Sequence, residues 1–189
     1  SGTIILYDVL RDFNCKTFVF SSSATVYGEP HKVPIKENFP LSVTNPYGRS
    51  KLIIEDFLRD LFYSDNSWKI AILRYFNPIG ADKTGLIGEE PNGIPNNLIP
   101  FISKVAAGKI NKLRVFGSDY DTPDGTGVRD YIHLVDIAKG HIKALKALIN
   151  KPQVLTVNLG TGKGYSVLEM IKAFENASGK VVPYEIVGR

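Results

Sequence analysis

Apolar side chains recur at Ile5, Leu6, Val9, Leu10 and Phe13, the three- and four-residue spacing of one helical face, and predict a helix over residues 3–13. A short β-rich apolar run, 17–20, follows and ends in three serines, as a strand buried in a parallel sheet would. A Pro-punctuated loop covers about 29–44. Asn45-Pro46 then opens a second helix to about residue 62, proline being tolerated in a first turn, with Leu52, Ile53, Phe57, Leu61 and Phe62 available for burial. Residues 69–75, KIAILRY, read as a second buried strand, and 76–80 as the loop at its C-terminal end. Strand, helix and strand at this spacing form a βαβ unit with a parallel sheet, so the fold class is α/β.

The texture changes from 81 to 126, where Gly, Pro and Asn-rich loops surround one amphipathic helix, about 97–107, and a short strand, 113–116. A helix over 136–149, a strand over 154–159 and a last helix opened by Ser166 with Glu169 three residues on, a capping box, complete the pattern. Two regions result. Residues 1–80 belong to one domain and 81–189 mainly to a smaller lobe, with a strand and helix around 131–160 returning to the first.

Composition narrows the class without fixing the function. With 43% apolar and 22% charged residues among 189, the chain has the profile of an ordinary globular protein. The net charge of +4 comes from scattered Lys and Arg, not from a basic stripe interleaved with aromatics, so nucleic acid is not an expected partner. One cysteine, Cys15, excludes an intramolecular disulfide, and histidines at 31, 133 and 141 have no metal-ligand spacing. No apolar run nears the roughly 18–20 residues of a membrane span, and the first residues do not resemble a signal peptide, so a cytoplasmic location is expected.

The chemistry concentrates in two segments, Ser21-Ser-Ser-Ala-Thr-Val-Tyr-Gly28 and Tyr47-Gly-Arg-Ser-Lys51. Tyr47 and Lys51 lie four residues apart on one helical face. A free phenol is a poor base at neutral pH, and a nearby cation favours its anion, so the pair suits proton abstraction from an alcohol. Ser23 ends a buried strand, where ligands collect in open α/β sheets. Each residue alone also reads as something plainer, Tyr-x-x-x-Lys as surface helix and Ser23 as a strand end or cap. Arg129 is either a bidentate fork for phosphate or a salt-bridge partner of Asp130 or Asp124. Asn97 also reads as a helix cap and Phe116 as core. Asn158-Leu-Gly-Thr-Gly-Lys-Gly164 has the spacing of neither the P-loop nor the dinucleotide fingerprint, and reads as a strand-to-helix connection. No G-x-G-x-x-G occurs in the 189 residues.

Taken jointly, the serine segment, the Asn-Pro-Tyr-Gly-x-Ser-Lys segment, Leu73-Arg-Tyr-Phe-Asn-Pro-Ile-Gly-Ala81, Gly93-Ile-Pro-Asn-Asn-Leu98, Asp124-Gly-Thr-Gly-Val-Arg-Asp-Tyr-Ile-His133 and Asn158–Gly164 resemble, in order and spacing over essentially the whole chain, the UDP-galactose 4-epimerases among the extended short-chain dehydrogenases. The resemblance implies an incomplete Rossmann-like doubly wound parallel sheet, 1–80 being the later half of an NAD-binding domain, with part of a small substrate-binding lobe. It also implies that about a hundred leading residues and a C-terminal tail belong to the intact protein, and that this chain alone is inactive.

The implied reaction interconverts UDP-galactose and UDP-glucose by NAD-dependent oxidation at C4 through a 4-keto sugar. By the same resemblance, Tyr47 takes the 4-hydroxyl proton, Ser23 assists, and Lys51 binds the nicotinamide ribose and tunes the phenol. Phe76 touches the nicotinamide end, Asn77 and Asn97 bind the diphosphate sugar, Leu98 and Phe116 the uridine, and Arg129 the diphosphate. A homodimer through helices 3–13 and 46–62 is implied as well. The rivals are a dehydratase or decarboxylase of the same fold and a non-catalytic UDP-sugar-binding protein. Dehydratases carry Asp-Glu where this chain has Ala24-Thr25, and they need the extra acid and base.

Overall fold

The computed structural model describes residues 2–189 as two units, one made of residues up to Pro78 with Val135–Gly162, the other of Ile79–Leu134 with Lys163–Arg189. The first unit is built on β1 (Thr17–Ser23), β2 (Lys69–Tyr75) and β6 (Gln153–Leu159), paired parallel in the order β1-β2-β6. β2 is the central strand and its apolar run is buried on both faces, with Ile70, Ala71, Ile72 and Leu73 all at 1% exposure or less. Alternation sends Ile70 and Ile72 to a cluster with Tyr7 of α1 (Gly2–Asp12), Leu58 of α2 (Pro46–Ser64) and Trp68. Ala71 and Leu73 pack on the other face against Ala144 and Leu148 of α4 (Leu134–Ile149). Helices thus cover both faces of a parallel sheet.

The first strand ends at Ser23, as expected: Ser21, Ser22 and Ser23 pair in register with Leu73, Arg74 and Tyr75. One expectation is corrected here. On α2, Leu58 is the fully buried apolar residue, while Ile53 is 59% exposed and faces away from the sheet.

In the second unit, β4 (Leu113–Phe116) pairs parallel with β8 (Tyr184–Val187). Leu113 and Val115 point inward to Ile102 and Val105 of α3 (Leu98–Ala106) and Ile171 of α5 (Val167–Ser178). The sequence pattern did not predict β8, nor β5 (Val128–His133) and β7 (Gly164–Ser166), which pair antiparallel. β3 (Asn77–Ile79) is the short segment in which the chain passes from the first unit to the second. The capping box forms as expected: Ser166 Oγ accepts from the Glu169 N–H, and Glu169 Oε2 from the Ser166 N–H at 2.8 Å. Among the described residues no helix is long and apolar enough to cross a membrane, and no His, Cys, Asp and Glu cluster could hold a metal ion.

Candidate active site

The first unit gathers Ser23, Tyr47 and Lys51 where the sequence pattern expects them, at the C-terminal edge of the sheet and the first two turns of α2. Local chemistry explains how. Asn45 caps α2 through its side-chain oxygen, which accepts from the Gly48 N–H at 2.8 Å, and Pro46 occupies the first turn. Glycine at 48 permits the close approach: a Cβ there would lie 2.9 Å from the Thr25 carbonyl oxygen, in the 3-10 turn Ala24–Tyr27 that follows β1. Gly28 closes that turn at φ +61°, where a Cβ would collide with the Ser42 carbonyl.

Ser23 is the last residue of β1 and caps the 3-10 turn. Its oxygen accepts from the Thr25 N–H at 3.3 Å and from the Thr25 hydroxyl at 3.0 Å. Both contacts use the oxygen as acceptor, so the hydroxyl hydrogen is the part suited to a ligand. Tyr47 is 56% exposed. The Lys51 ammonium lies 5.6 Å from its ring centre and 5.2 Å from that of Phe20, and donates to the Ser21 carbonyl at 2.8 Å. Burial pushes the Lys51 pKa down from the ordinary lysine range. Phe76 follows β2 directly and its N–H bonds the Leu159 carbonyl at 3.0 Å, which fixes the chain where it leaves the sheet. Asn77 is exposed beside it.

Sequence reasoning missed Tyr75 and His141. The Tyr75 hydroxyl bonds Ser21 Oγ at 2.7 Å and His141 Nε2, and His141 Nδ1 lies 2.9 Å from the Ile137 carbonyl. A carbonyl only accepts, so Nδ1 carries a ring hydrogen. Burial raises the Tyr75 pKa against the lowering effect of Ser21, and negative charge on Tyr47 would raise it further. Position was the available signal: Tyr75 ends the strand that leads to Phe76 and Asn77.

In the second unit, Asn97 stands at the N-cap position of α3, but its side chain makes no capping bond there. Its amide instead donates to Glu89 at 3.0 Å. Leu98 is half-buried against the core, whereas Phe116, on the outward side of β4, is 59% exposed and is not core. Arg129 is exposed on β5 and donates to the Val128 carbonyl at 2.7 Å. The Asp124 carboxylate is engaged by the Thr126 N–H and hydroxyl at 2.9 and 2.8 Å and by the Ser166 hydroxyl. The segment after Asn158 connects strand to helix through β7 and is less direct than expected.

A serine at a strand end, a tyrosine and lysine one turn apart on the next helix, and a doubly covered parallel sheet define a short-chain-dehydrogenase type of site. Residues 1–160 match the model of the NAD dependent epimerase/dehydratase family, and the chain belongs to that family. Its whole length is 59% identical to the UDP-glucose 4-epimerase of Bacillus subtilis, of which it covers 56%, and 56% identical to the human UDP-glucose 4-epimerase, of which it covers 55%. The chain therefore spans about half the length of the curated relatives it matches. Its fold superimposes with a TM-score of 0.95 on 99% of this chain and 56% of the crystal structure of UDP-glucose 4-epimerase from Bifidobacterium longum in complex with NAD+ and UDP, at 56% identity. The fold is thus the Rossmann-like epimerase fold, represented here in part.

Proposed function

We propose that the protein carrying this chain interconverts UDP-galactose and UDP-glucose by reversible oxidation at C4 of the sugar. The observation that carries the reading is the placement of Lys51, 5.6 Å from the Tyr47 ring and anchored to the Ser21 carbonyl, beside the strand end that bears Ser23. It is supported by close similarity to UDP-glucose 4-epimerases over the whole chain.

The residues present fit the nicotinamide end of NAD. One of the three ammonium hydrogens of Lys51 is spent on Ser21, which leaves donors for ribose hydroxyls, and Phe76 offers an apolar surface at the adjacent strand end. When bound, NAD+ accepts the C4 hydride and returns it to the opposite face. Tyr47 takes the 4-hydroxyl proton and gives it back, Ser23 donates to the same oxygen, and Lys51 offsets the charge that develops on the phenol. Residues 1–80 act as the later half of the cofactor-binding domain. The substrate roles fall to Asn77 and Asn97 for the diphosphate sugar, Leu98 and Phe116 for the uridine, and Arg129, as a guanidinium fork, for the diphosphate.

A dehydratase would need an acid and a base next to Tyr47. Ala24 supplies no such group, and the Thr25 hydroxyl is committed to Ser23, which favours epimerisation. The protein works in the cytoplasm as a homodimer through α1 and α2. Purified full-length protein, supplied with NAD+ and UDP-galactose, is expected to form UDP-glucose in a dehydrogenase-coupled assay. Absence of turnover with the cofactor bound would overturn the reading.

A further inference from the structure

Behind Tyr47 and Lys51, α2 carries a charge that the reaction does not use. Glu55, at 0% exposure, lies one turn beyond Lys51 and two beyond Tyr47 on the same helical face. Arg74 of β2, at 1% exposure, grips it with both arms of its fork, Nε to Oε1 at 3.0 Å and Nη2 to Oε2 at 2.6 Å. Ser22 of β1 donates to Oε1 at 2.5 Å, and half-exposed Arg59 donates to Oε2 at 3.2 Å. From the other side of the fork, Arg74 Nη1 donates to the Tyr27 hydroxyl at 2.7 Å, and Tyr27 donates to Asn158 of β6 at 2.8 Å.

Each member borders a residue of the proposed site. Ser22 precedes Ser23, Arg74 stands two residues before Phe76, and Tyr27 closes the 3-10 turn that Ser23 caps. We propose that the Glu55–Arg74 pair is a positioning device that fixes the height and rotation at which α2 presents Tyr47 and Lys51 to the strand ends bearing Ser23 and Phe76.

Energetics point the same way. Apolar residues of similar volume usually stabilise a core at least as well as a buried ion pair, so stability alone does not call for charges here. A bidentate fork, unlike an apolar contact, is directional: it fails when the helix slides or turns by a fraction of an ångström. The core contacts of Leu58 with Ile70 and Ile72 hold α2 onto the sheet and tolerate such sliding. Transfer of a proton and a hydride at one carbon does not tolerate it, since a misplacement of about 1 Å can cost about a hundredfold in rate.

The inference rests on the epimerase reading, and its test separates the two. In the full chain with NAD bound, Arg74→Lys keeps the charge and removes the fork. Ser22→Ala/Glu55→Leu/Arg74→Met replaces the polar set by apolar volume and leaves Tyr27 its bond to Asn158. In both, KM for UDP-galactose is expected to stay within about threefold while kcat falls about 10- to 100-fold. In the triple variant the loss persists although the melting temperature returns to near that of the wild type. Arg74→Lys is assayed well below its own melting temperature, so that unfolding cannot explain the loss. Wild-type kcat in a folded variant of either kind overturns the proposal. A wild type without turnover is a failure of the epimerase reading alone. Positioning is then read from the ¹³Cζ resonance of labelled Tyr47, which is expected to move in Arg74→Lys, and an unmoved resonance overturns the proposal.

Discussion

Lys51 holds its ammonium 5.6 Å from the centre of the Tyr47 ring, one turn along the same face of α2. Tyr47→Phe keeps the ring in place beside this cation and removes only the hydroxyl proposed to exchange the proton. KM for UDP-galactose is expected to change little and kcat to fall by about 10² to 10⁴, the usual worth of general-base catalysis. Steady-state kinetics of the full-length protein decide, and a loss below about threefold is incompatible with the role, given that magnitude.

The approach of Gly48 to Thr25 makes a second, purely steric forecast. A methyl group at 48 would sit 2.9 Å from a backbone oxygen, and neither the helix end nor the 3-10 turn has a flexible side chain to give way. Gly48→Ala is therefore expected to lose about 1–3 kcal/mol of stability, as overpacked sites do. It should also lower kcat, because relief of the clash moves Tyr47 away from Ser23. Thermal unfolding and kinetics on the same preparation would test both parts, and wild-type values in each would refute the close packing.

Which of these relationships the sequence carried follows from their range along the chain. Tyr47 and Lys51 are four residues apart, and helical periodicity alone brings them together. The strand KIAILRY was legible to the residue because a central parallel strand needs apolar side chains on both faces. β5, with Arg129, Asp130 and His133 among its six residues, has no such pattern and is a strand because β3 and β7 pair with it on either side. Glu55 and Arg74, 19 residues apart, meet only when α2 is laid on β2. Tyr75 and His141 are 66 residues apart and meet because Tyr75 ends β2 and His141 lies on α4. Long-range pairing decides these cases, and composition gives no notice of it.

Acid should find the Glu55–Arg74 pair. Burial by itself would raise the Glu55 pKa, but the hydrogen bonds from Arg74 and Ser22 more than offset it and hold the carboxyl below its ordinary value of 4.5. A carboxylate depressed on folding contributes stability that is fully present above the unfolded value and is lost as the pH falls through the folded one. Glu55→Gln, which leaves Arg74 buried without its counter-charge, is expected to be less stable at neutral pH by about 3 kcal/mol. The gap to the wild type should narrow as the pH drops below 4.5. Melting temperatures of both proteins between about pH 3 and 7 would show it, and a gap that stays constant or widens toward acid contradicts the assignment.

The last prediction concerns the face of α1 turned away from the sheet. Ile5 and Val9 of α1 and Phe13 just after it recur every four residues and are 63%, 47% and 81% exposed, while Tyr7 and Leu10 pack into the core of the first unit. On α2, Ile53 and Tyr63 are 59% and 92% exposed. An exposed stripe of this kind on two helices carries a cost in water of about 25 cal/mol for each Å² of apolar surface, and a two-fold partner presenting the same stripes removes it. Centrally placed apolar side chains dominate such contacts, and a buried unpaired charge among them is strongly unfavourable. Val9→Asp is therefore expected to shift the full-length protein from dimer to monomer at micromolar concentration. Tyr7 and the rest of the core are untouched, so the fold should survive the substitution. Sedimentation equilibrium on wild type and variant, with circular dichroism to verify folding, makes the comparison. A wild type already monomeric at these concentrations, or a folded variant that remains dimeric, would exclude this face as the subunit contact.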